Sequence, residues 1–503
     1  MASNTISSSL TRPNTATETE FGDTVVFERG SRPDYSITDR LGRPTGFTDY
    51  TPQQMRVVTL WLENLKKVFE QNGFTAMQPR PVEYGTNLQL TGGLEKQIFG
   101  ISGLQDGHLT KLGLPFDRTI QLAILIAKYH MQMTFPYCRY DIGWSWRGEK
   151  ATAGRYRAFI QADIDIIDTK LTARADAQCV VTMIKGLQSC GVAKCNVLVN
   201  HIGVAKAFMK NAGITEEKFK DGLRAIDKLK PDNEEEVVAE LIQNVPELSS
   251  DKARELLKNM SYRGPISQFQ FPFPETSEAR QALDHLKEVE ETAILLGVSP
   301  RQMQFAPNLT RGLDYYTGVV LETFIEGRER LGSVASGGRY DNLVGAFNEK
   351  AKYQGVGFSI GMTRLFDVMQ AENLVDLSRQ TTAQVYVGYR TRNEFKKAIE
   401  VANALRDQLG IKVELQMTDM KIGKQLEFCD SKGIPYSIIV FNNDEICLKN
   451  MGVKKTSEEQ TKQETFNEVN PLVSYMKSLK AHGKLDEERI PAPKETSDSK
   501  VDQ

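Results

Sequence analysis

The chain has 503 residues and a formal net charge of −2, with 40% hydrophobic and 25% charged residues. At that length two to four compact domains of roughly 100–200 residues are expected, each able to build a core. The near-neutral balance excludes a protein that holds polyanions by bulk charge, so RNA contact must come from local basic patches, and no apolar run approaches the roughly 18–20 residues that cross a bilayer.

Residues 1–40 are rich in Ser, Thr and Asn and lack an apolar core segment, which predicts a disordered N-terminal extension on a cytoplasmic protein rather than a secretory signal. Thr51-Pro52-Gln53-Gln54 then opens a helix, with Thr51 as cap, proline in the first turn and Gln54 three residues on. Val58, Leu62, Leu65 and Phe69 follow at helical spacing, and Gly73 supplies the stop. Such a helix could pack on its own sheet or across a dimer.

Residues 138–168 read as two strands joined by a loop at 149–154. In the second strand Arg157, Phe159, Gln161, Asp163, Asp165 and Ile167 share one face, and Tyr156, Ala158, Ile160, Ala162, Ile164 and Ile166 the other. Ser145, Arg147 and Glu149 fall on one parity of the first. The plain reading is a solvated antiparallel sheet; the combination of Gln, two Asp and Arg behind a Gly-Arg-Tyr-Arg entry favours a binding face.

A strand is predicted at 197–204, followed by a Glu/Lys-rich helical insertion at 205–290 with stripes such as Phe208, Phe219, Leu223, Ile226 and Leu229. Its acidic run at 232–236 reads as the solvated start of a helix. Strand signals return at 304–324, 333–338 and 353–360, ahead of a helix near Gly361. Beyond Ser378 strands and helices alternate: strands at 385–387, 413–415, 436–441 and 445–449, a helix capped by Asn393 and another from about Met420. That pattern predicts a small α/β domain over 382–478 with a largely parallel sheet, ending in an unfolded charged tail at 479–503. The six cysteines form no CxxC pair and are expected to be reduced and mostly buried; a metal site at Cys190, Cys195 and His201 is not expected.

The chemistry concentrates in Thr310-Arg311-Gly312-Leu313-Asp314-Tyr315-Tyr316-Thr317-Gly318 and Ser336-Gly337-Gly338-Arg339-Tyr340-Asp341. A guanidinium, phenols and carboxylates beside glycines suit a pocket for something polar and anionic, because unpaired polar groups buried in a core cost several kcal/mol. Arg147 ends a strand, and Arg364 starts a helix after Gly355-Val356-Gly357-Phe358-Ser359-Ile360-Gly361. Arginine grips phosphate oxygens bidentately, so two converging on one sheet would clamp a triphosphate; each alone is an ordinary surface arginine.

In that order the segments resemble the signatures of class II aminoacyl-tRNA synthetases. Arg147-Gly148-Glu149-Lys150, followed by Gly154-Arg155-Tyr156-Arg157-Ala158-Phe159-Ile160-Gln161-Ala162-Asp163-Ile164-Asp165, is similar to the second class motif as found in the histidyl-tRNA synthetase family. Leu112-Gly113-Leu114-Pro115-Phe116-Asp117-Arg118-Thr119 looks like that family's amino-acid segment. Arg311-Gly312-Leu313-Asp314-Tyr315-Tyr316 and Gly337-Gly338-Arg339-Tyr340-Asp341 look like its two histidine-specific motifs. The resemblance runs from about residue 46 to residue 449, and several motifs in one order carry it where any one would be weak.

The resemblance implies an α+β fold: an antiparallel class II sheet flanked by helices over 41–204 and 291–378, the helical insertion, and a C-terminal α/β anticodon-binding domain. It implies a cytoplasmic homodimer, without membrane contact, that uses ATP and Mg²⁺ to join L-histidine to tRNA(His). Arg147 is implied to hold the α-phosphate, Arg364 the γ-phosphate, and Arg311 to act as the catalytic cation that also faces histidine. Glu149 and Arg155 complete the ATP site. Asp117 and Thr119 are implied to bind the amino group of histidine, Gln161 to lie near its carboxylate, and Asp165, Tyr315 and Tyr316 to line the pocket, with Asp165 and Tyr316 facing the imidazole. No metal ligand is assigned. Lys396, Lys397, Lys412, Lys421, Lys424 and Lys432 are the implied RNA-backbone contacts. The chain departs from the family pattern at Pro115, Arg118, Gln121 and the Ala151-Thr152-Ala153 loop. The alternative is a non-catalytic, synthetase-like histidine-sensing regulatory paralogue; such relatives commonly lose the Arg-Gly-Leu-Asp-Tyr-Tyr motif or the anticodon domain, and this chain has both.

Overall fold

The structure, a computed structural model, describes residues 42–90, 97–101, 111–152, 154–229, 233–310, 315–451 and 463–485. The predicted N-terminal extension, Arg311 with the three residues after it, Ala153 and residues 486–503 lie outside the described residues.

Helix α1 (Pro52–Gln71) starts on the expected capping box, in which the Thr51 hydroxyl and the Gln54 side chain satisfy each other's backbone N–H groups. Its buried residues include Val58, Trp61, Leu65 and Phe69. The helix packs on its own sheet: the Phe69 and Tyr140 rings lie 5.6 Å apart, and the Tyr140 hydroxyl donates to Glu70 at 2.8 Å.

Among the described residues the sheet beneath it has eight strands: β1 (Thr75–Ala76), β2 (Tyr137–Trp146), β3 (Ala158–Asp168), β4 (Cys195–His201), β5 (Met303–Phe305), β6 (Val319–Ile325), β7 (Ala335–Tyr340) and β8 (Gln354–Gly361). They lie in the order β1-β2-β3-β8-β7-β6-β4-β5, parallel only at the β1/β2 and β4/β5 edges. Helix α2 (Thr119–Tyr129) precedes β2, and α3 (Ala173–Ser189) follows β3. Ile160, Ala162, Ile164 and Ile166 of β3 join α1 and α3 in the main hydrophobic core.

Between β4 and β5 run α4 (Ile202–Asn211), α5 (Phe219–Ile226), α6 (Glu234–Asn244), α7 (Ser250–Asn259) and α8 (Ser277–Leu295). The β4 strand stops at His201 rather than running to Val204, because the His201 ring accepts the Gly203 N–H and caps α4. The 304–324 signal divides into β5 and β6. Three acidic residues, Glu234, Glu235 and Glu236, sit in the first turn of α6, where the helix dipole favours them.

After α9 (Met362–Ala371) the C-terminal region forms a second sheet of β9 (Val385–Tyr389), β10 (Val413–Leu415), β11 (Tyr436–Asn442), β12 (Glu445–Asn450) and β13 (Gln463–Phe466). In the order β10-β9-β11-β12-β13, the first three are parallel and the last two antiparallel. Helices α10 (Phe395–Leu409), α11 (Ile422–Ser431) and α12 (Val469–Ala481) accompany it. Thr391, not Asn393, makes the cap, through a capping box with Glu394 around a short 3-10 turn. The predicted tail begins too early. Helix α12 runs to Ala481, Leu485 is buried, and the Leu485 carbonyl accepts Gln384 at 2.6 Å, so residues 479–485 belong to the domain.

Candidate active site

Alternation places Arg139, Asp141, Gly143 and Ser145 of β2 on the same sheet face as Asp165, Asp163, Gln161 and Phe159 of β3. The β8 partners are Gly357 opposite Asp165 and Ser359 opposite Asp163; on β7, Gly338 lies opposite Gly357 and Tyr340 opposite Gly355. This polar face is buried, not solvated: Gln161 is 7% exposed, Asp163 4%, Asp165 2% and Arg139 0%. Burying a charge requires a partner. Arg139 Nη2 reaches Asp165 Oδ2 at 2.6 Å, and Tyr340 donates to Asp165 Oδ1 at 2.5 Å. Arg118 donates to Asp141 at 2.7 Å and to the Trp144 carbonyl at 2.8 Å. Its guanidinium lies flat against Gly143, where a Cβ would meet it at 2.7 Å.

Two glycines keep the middle of this floor low. A Cβ on Gly357 would sit 1.9 Å from Asp165 Oδ1, and one on Gly338 would meet the Tyr316 ring at 2.8 Å. Asp165 and Tyr316 therefore share one face across two strand spacings, roughly 10 Å. Beside them Tyr315 donates to Asp117 Oδ2 at 3.2 Å, its ring 4.9 Å from that of Tyr316. The Thr119 side chain bonds the same phenol. Asp117 Oδ1 accepts the Ile120 N–H at the start of α2, which aims the carboxylate.

Burial pushes the Asp117 and Asp165 carboxyls up; the Tyr315 bond and the Arg147 charge oppose this at Asp117, as Arg139 and Tyr340 do at Asp165. Burial also raises Asp163 to about 7, against the pull of Arg139. The Tyr315 and Tyr340 phenols are held well above their ordinary value, by burial first and then by Asp117 and Asp165 respectively, so both are neutral donors.

Arg147 follows β2 directly, bonds the Phe116 carbonyl at 3.3 Å and lies 5.0 Å over the Phe159 ring. Gln161 donates to Ser359 at 2.8 Å. Gly361, opposite Gln161 in register, leads into α9, where Arg364 donates to the Leu331 carbonyl at 3.1 Å. A Cβ on Gly154 would be 3.8 Å from the Arg364 guanidinium, so Arg147 and Arg364 flank the same loop at one end of β3. On that loop Glu149, half-buried, faces the exposed Arg155 at 4.0 Å. The sequence-predicted residues that are described thus come together on one sheet face and its rim. Arg311 lies outside the described residues.

A family model described as histidyl-tRNA synthetase matches residues 46–365, and one described as an anticodon binding domain matches residues 384–473. The chain belongs to the histidyl-tRNA synthetase family. It is 33% identical over 416 residues to a histidine–tRNA ligase of Bifidobacterium animalis, covering 78% of this chain and 88% of that one. The histidine–tRNA ligase of Nostoc punctiforme is 30% identical over 446 residues, with 83% and 94% covered. A solved histidyl-tRNA synthetase from a Nostoc species superposes with a TM-score of 0.76 at 27% identity, covering 87% of this chain and 99% of that one.

The sequence reading leaves Arg139 and Asp141 out of the site and names Tyr340 only within its motif, without a role. Extending the parity of Ser145 and Arg147 back through β2 reaches Asp141 and Arg139, and Tyr340 shares parity with Gly338. Arg118 and Gln121, where the chain departs from the family, are both anchors: Gln121 donates to the Arg80 carbonyl at 2.6 Å, pinning α2 to the segment before it. Of the six lysines proposed for RNA, Lys397, Lys424 and Lys432 pair with Glu400, Glu427 and Glu414.

Proposed function

We propose that this protein activates L-histidine with ATP as histidyl-adenylate and transfers it to the 3′ end of tRNA(His). The observation that carries the reading is the glycine-paved floor between Asp165 and Tyr316, bordered by Asp117, Thr119 and Tyr315 and adjoining Arg147.

Asp165 uses two of its roughly four acceptor sites on Arg139 and Tyr340, which leaves capacity for an imidazole N–H, while Tyr316 approaches the ring from the other side. A ring without those nitrogens leaves buried groups unpaired, which supports rejection by roughly 10⁴-fold or more. Asp117 and Thr119 take the ammonium group, and Gln161 lies towards the carboxylate. That carboxylate attacks the α-phosphorus of ATP in line; the bond to pyrophosphate breaks, and a ribose hydroxyl of the tRNA then displaces AMP from the adenylate. Charge grows on the phosphoryl oxygens, so Arg147 and Arg364, with Arg155 at the rim, supply the stabilisation, together with the permanent charge that the family resemblance assigns to Arg311. Mg²⁺ takes phosphate oxygens, water and one or two carboxylates, and would add neutralising charge when bound; Glu149 is the carboxylate of this loop that suits it.

The anticodon-binding match over 384–473 favours charging of tRNA over a regulatory role. We place the protein in the cytoplasm as a homodimer, as the family resemblance implies; no described helix is long and apolar enough to cross a membrane. Amino-acid-dependent ATP–pyrophosphate exchange with each of the twenty amino acids is the test. Exchange with histidine alone is expected; exchange with a different amino acid, or with none, defeats the reading.

A further inference from the structure

Arg339 and Asp341 belong to the Gly-Gly-Arg-Tyr-Asp motif but have no part in the pocket just described. Arg339 lies between Gly338 and Tyr340, so it points to the opposite sheet face, away from any ligand on the floor. There it is 6% exposed and fully engaged. Its Nε donates to Asp341 at 2.9 Å, its Nη1 reaches the buried Asp176 of α3 at 3.3 Å, and its Nη2 donates to the Leu171 carbonyl at 2.9 Å and to Gln354 at 3.0 Å. Asp176 in turn meets His285 of α8 at 2.5 Å.

The other end of this network grips the residue after the two pocket tyrosines. Thr317 donates its backbone N–H to the Arg339 carbonyl at 2.8 Å and its hydroxyl to Asp341 at 2.9 Å, while that hydroxyl accepts the Asp341 N–H at 3.0 Å. Three bonds therefore hold one residue whose chain neighbours are Tyr316, seated on Gly338, and Gly318, just before β6. Tyr315 and Tyr316 are only half-buried, so the packing of their own rings does not by itself fix them.

We propose that Thr317, Asp341 and Arg339 are positioning residues for amino-acid specificity: from the far side of the sheet they lock the Tyr315–Tyr316 turn against the pocket floor. The inference rests on the histidine-activating reading and adds residues to it that touch no ligand. A turn held by these three hydrogen bonds, one of them to a carboxylate, keeps two rings in register with Asp117 and Gly338; loosening it moves the rings without touching the phosphate site at the other end of β3. Small misplacements of this kind change rates or affinities by up to about 100-fold.

The test is histidine-dependent pyrophosphate exchange by the full-length chain, comparing wild type with Thr317→Val, Thr317→Ser and Asp341→Asn. Thr317→Val keeps the shape and removes the hydroxyl; it should raise the KM for histidine about tenfold or more while that for ATP stays within about twofold. Thr317→Ser restores the hydroxyl and should behave as wild type, and Asp341→Asn should show the same split as Thr317→Val. The inference is overturned if both KM values move together, if neither moves, or if both Thr317→Val and Asp341→Asn fail to fold, which would mark a purely structural role. Wild type without histidine-dependent exchange would defeat the functional reading and this inference with it; wild-type exchange with no split in Thr317→Val defeats the inference alone.

Discussion

The two faces of the large sheet are built from alternate residues of the same strands and are equally buried, yet they carry opposite chemistry. Towards α1 and α3, Tyr140, Ile164, Ile166 and Val356 are at most 5% exposed, and each apolar side chain removed from water stabilises the fold. Towards the pocket, Arg139, Asp141, Asp163 and Asp165 are at most 4% exposed, and burial there opposes folding unless every charge is compensated. A well-packed apolar set on that face would often be neutral or more stable. The aliphatic face is explained by stability alone. The charged face is explained by what it can bind.

The comparison is broken most forcefully at Arg139. Replacing it with Met leaves Asp165 without its buried cation, while Asp141 keeps Arg118, and should lower stability by about 3–5 kcal/mol, read from urea unfolding. The double change Arg139→Met/Asp165→Leu should recover much of that loss yet leave histidine-dependent exchange abolished; a stable double variant that still exchanges would show the charged face is dispensable.

Asp163 sharpens the same contrast through pH. Burial raises its carboxyl from 3.8 to about 7, so between those values the folded protein holds a proton that the unfolded chain releases. Stability should therefore fall as pH rises through that window and level off above it. Asp163→Asn should remove this slope and gain on the order of 2–4 kcal/mol at pH 8, with no gain at pH 3; urea midpoints across the range are the measurement, and an unchanged slope refutes the assignment.

At the pocket rim, Tyr315→Phe deletes the bond to Asp117 and should weaken histidine about fivefold to tenfold, seen as a higher KM for histidine in exchange assays with folding intact. The smallest effect belongs to the other face. Ile164→Val should reduce stability by about 0.5–1.5 kcal/mol and leave exchange kinetics at wild-type values. A kinetic defect there would mean that the faces are not independent.

Much of this was legible beforehand because it is local. The capping box at Thr51 and Gln54, the period-two pattern of 157–167 and each motif taken singly depend on residues close in the chain. The misses share a cause too. The tail predicted from 479 starts a few residues too early, since the charged residues around Leu485 mask the one apolar side chain that ties this end to the domain. The cap lies at Thr391 rather than at the expected Asn393 because a 3-10 turn intervenes before α10.

By itself the sequence determined which elements form and which residues bear chemistry, since hydrogen-bonded caps and side-chain alternation are set within a few residues. Only the tertiary structure decided whether the polar face of β3 meets water or becomes a pocket floor. Tyr340 and Asp165 stand 175 residues apart, and Arg339 and Asp176 are 163 apart; their pairing exists only once β8 and β7 line up beside β3 with α3 packed behind them. Burial is a property of what covers a strand, and here the cover is supplied from the far half of the chain.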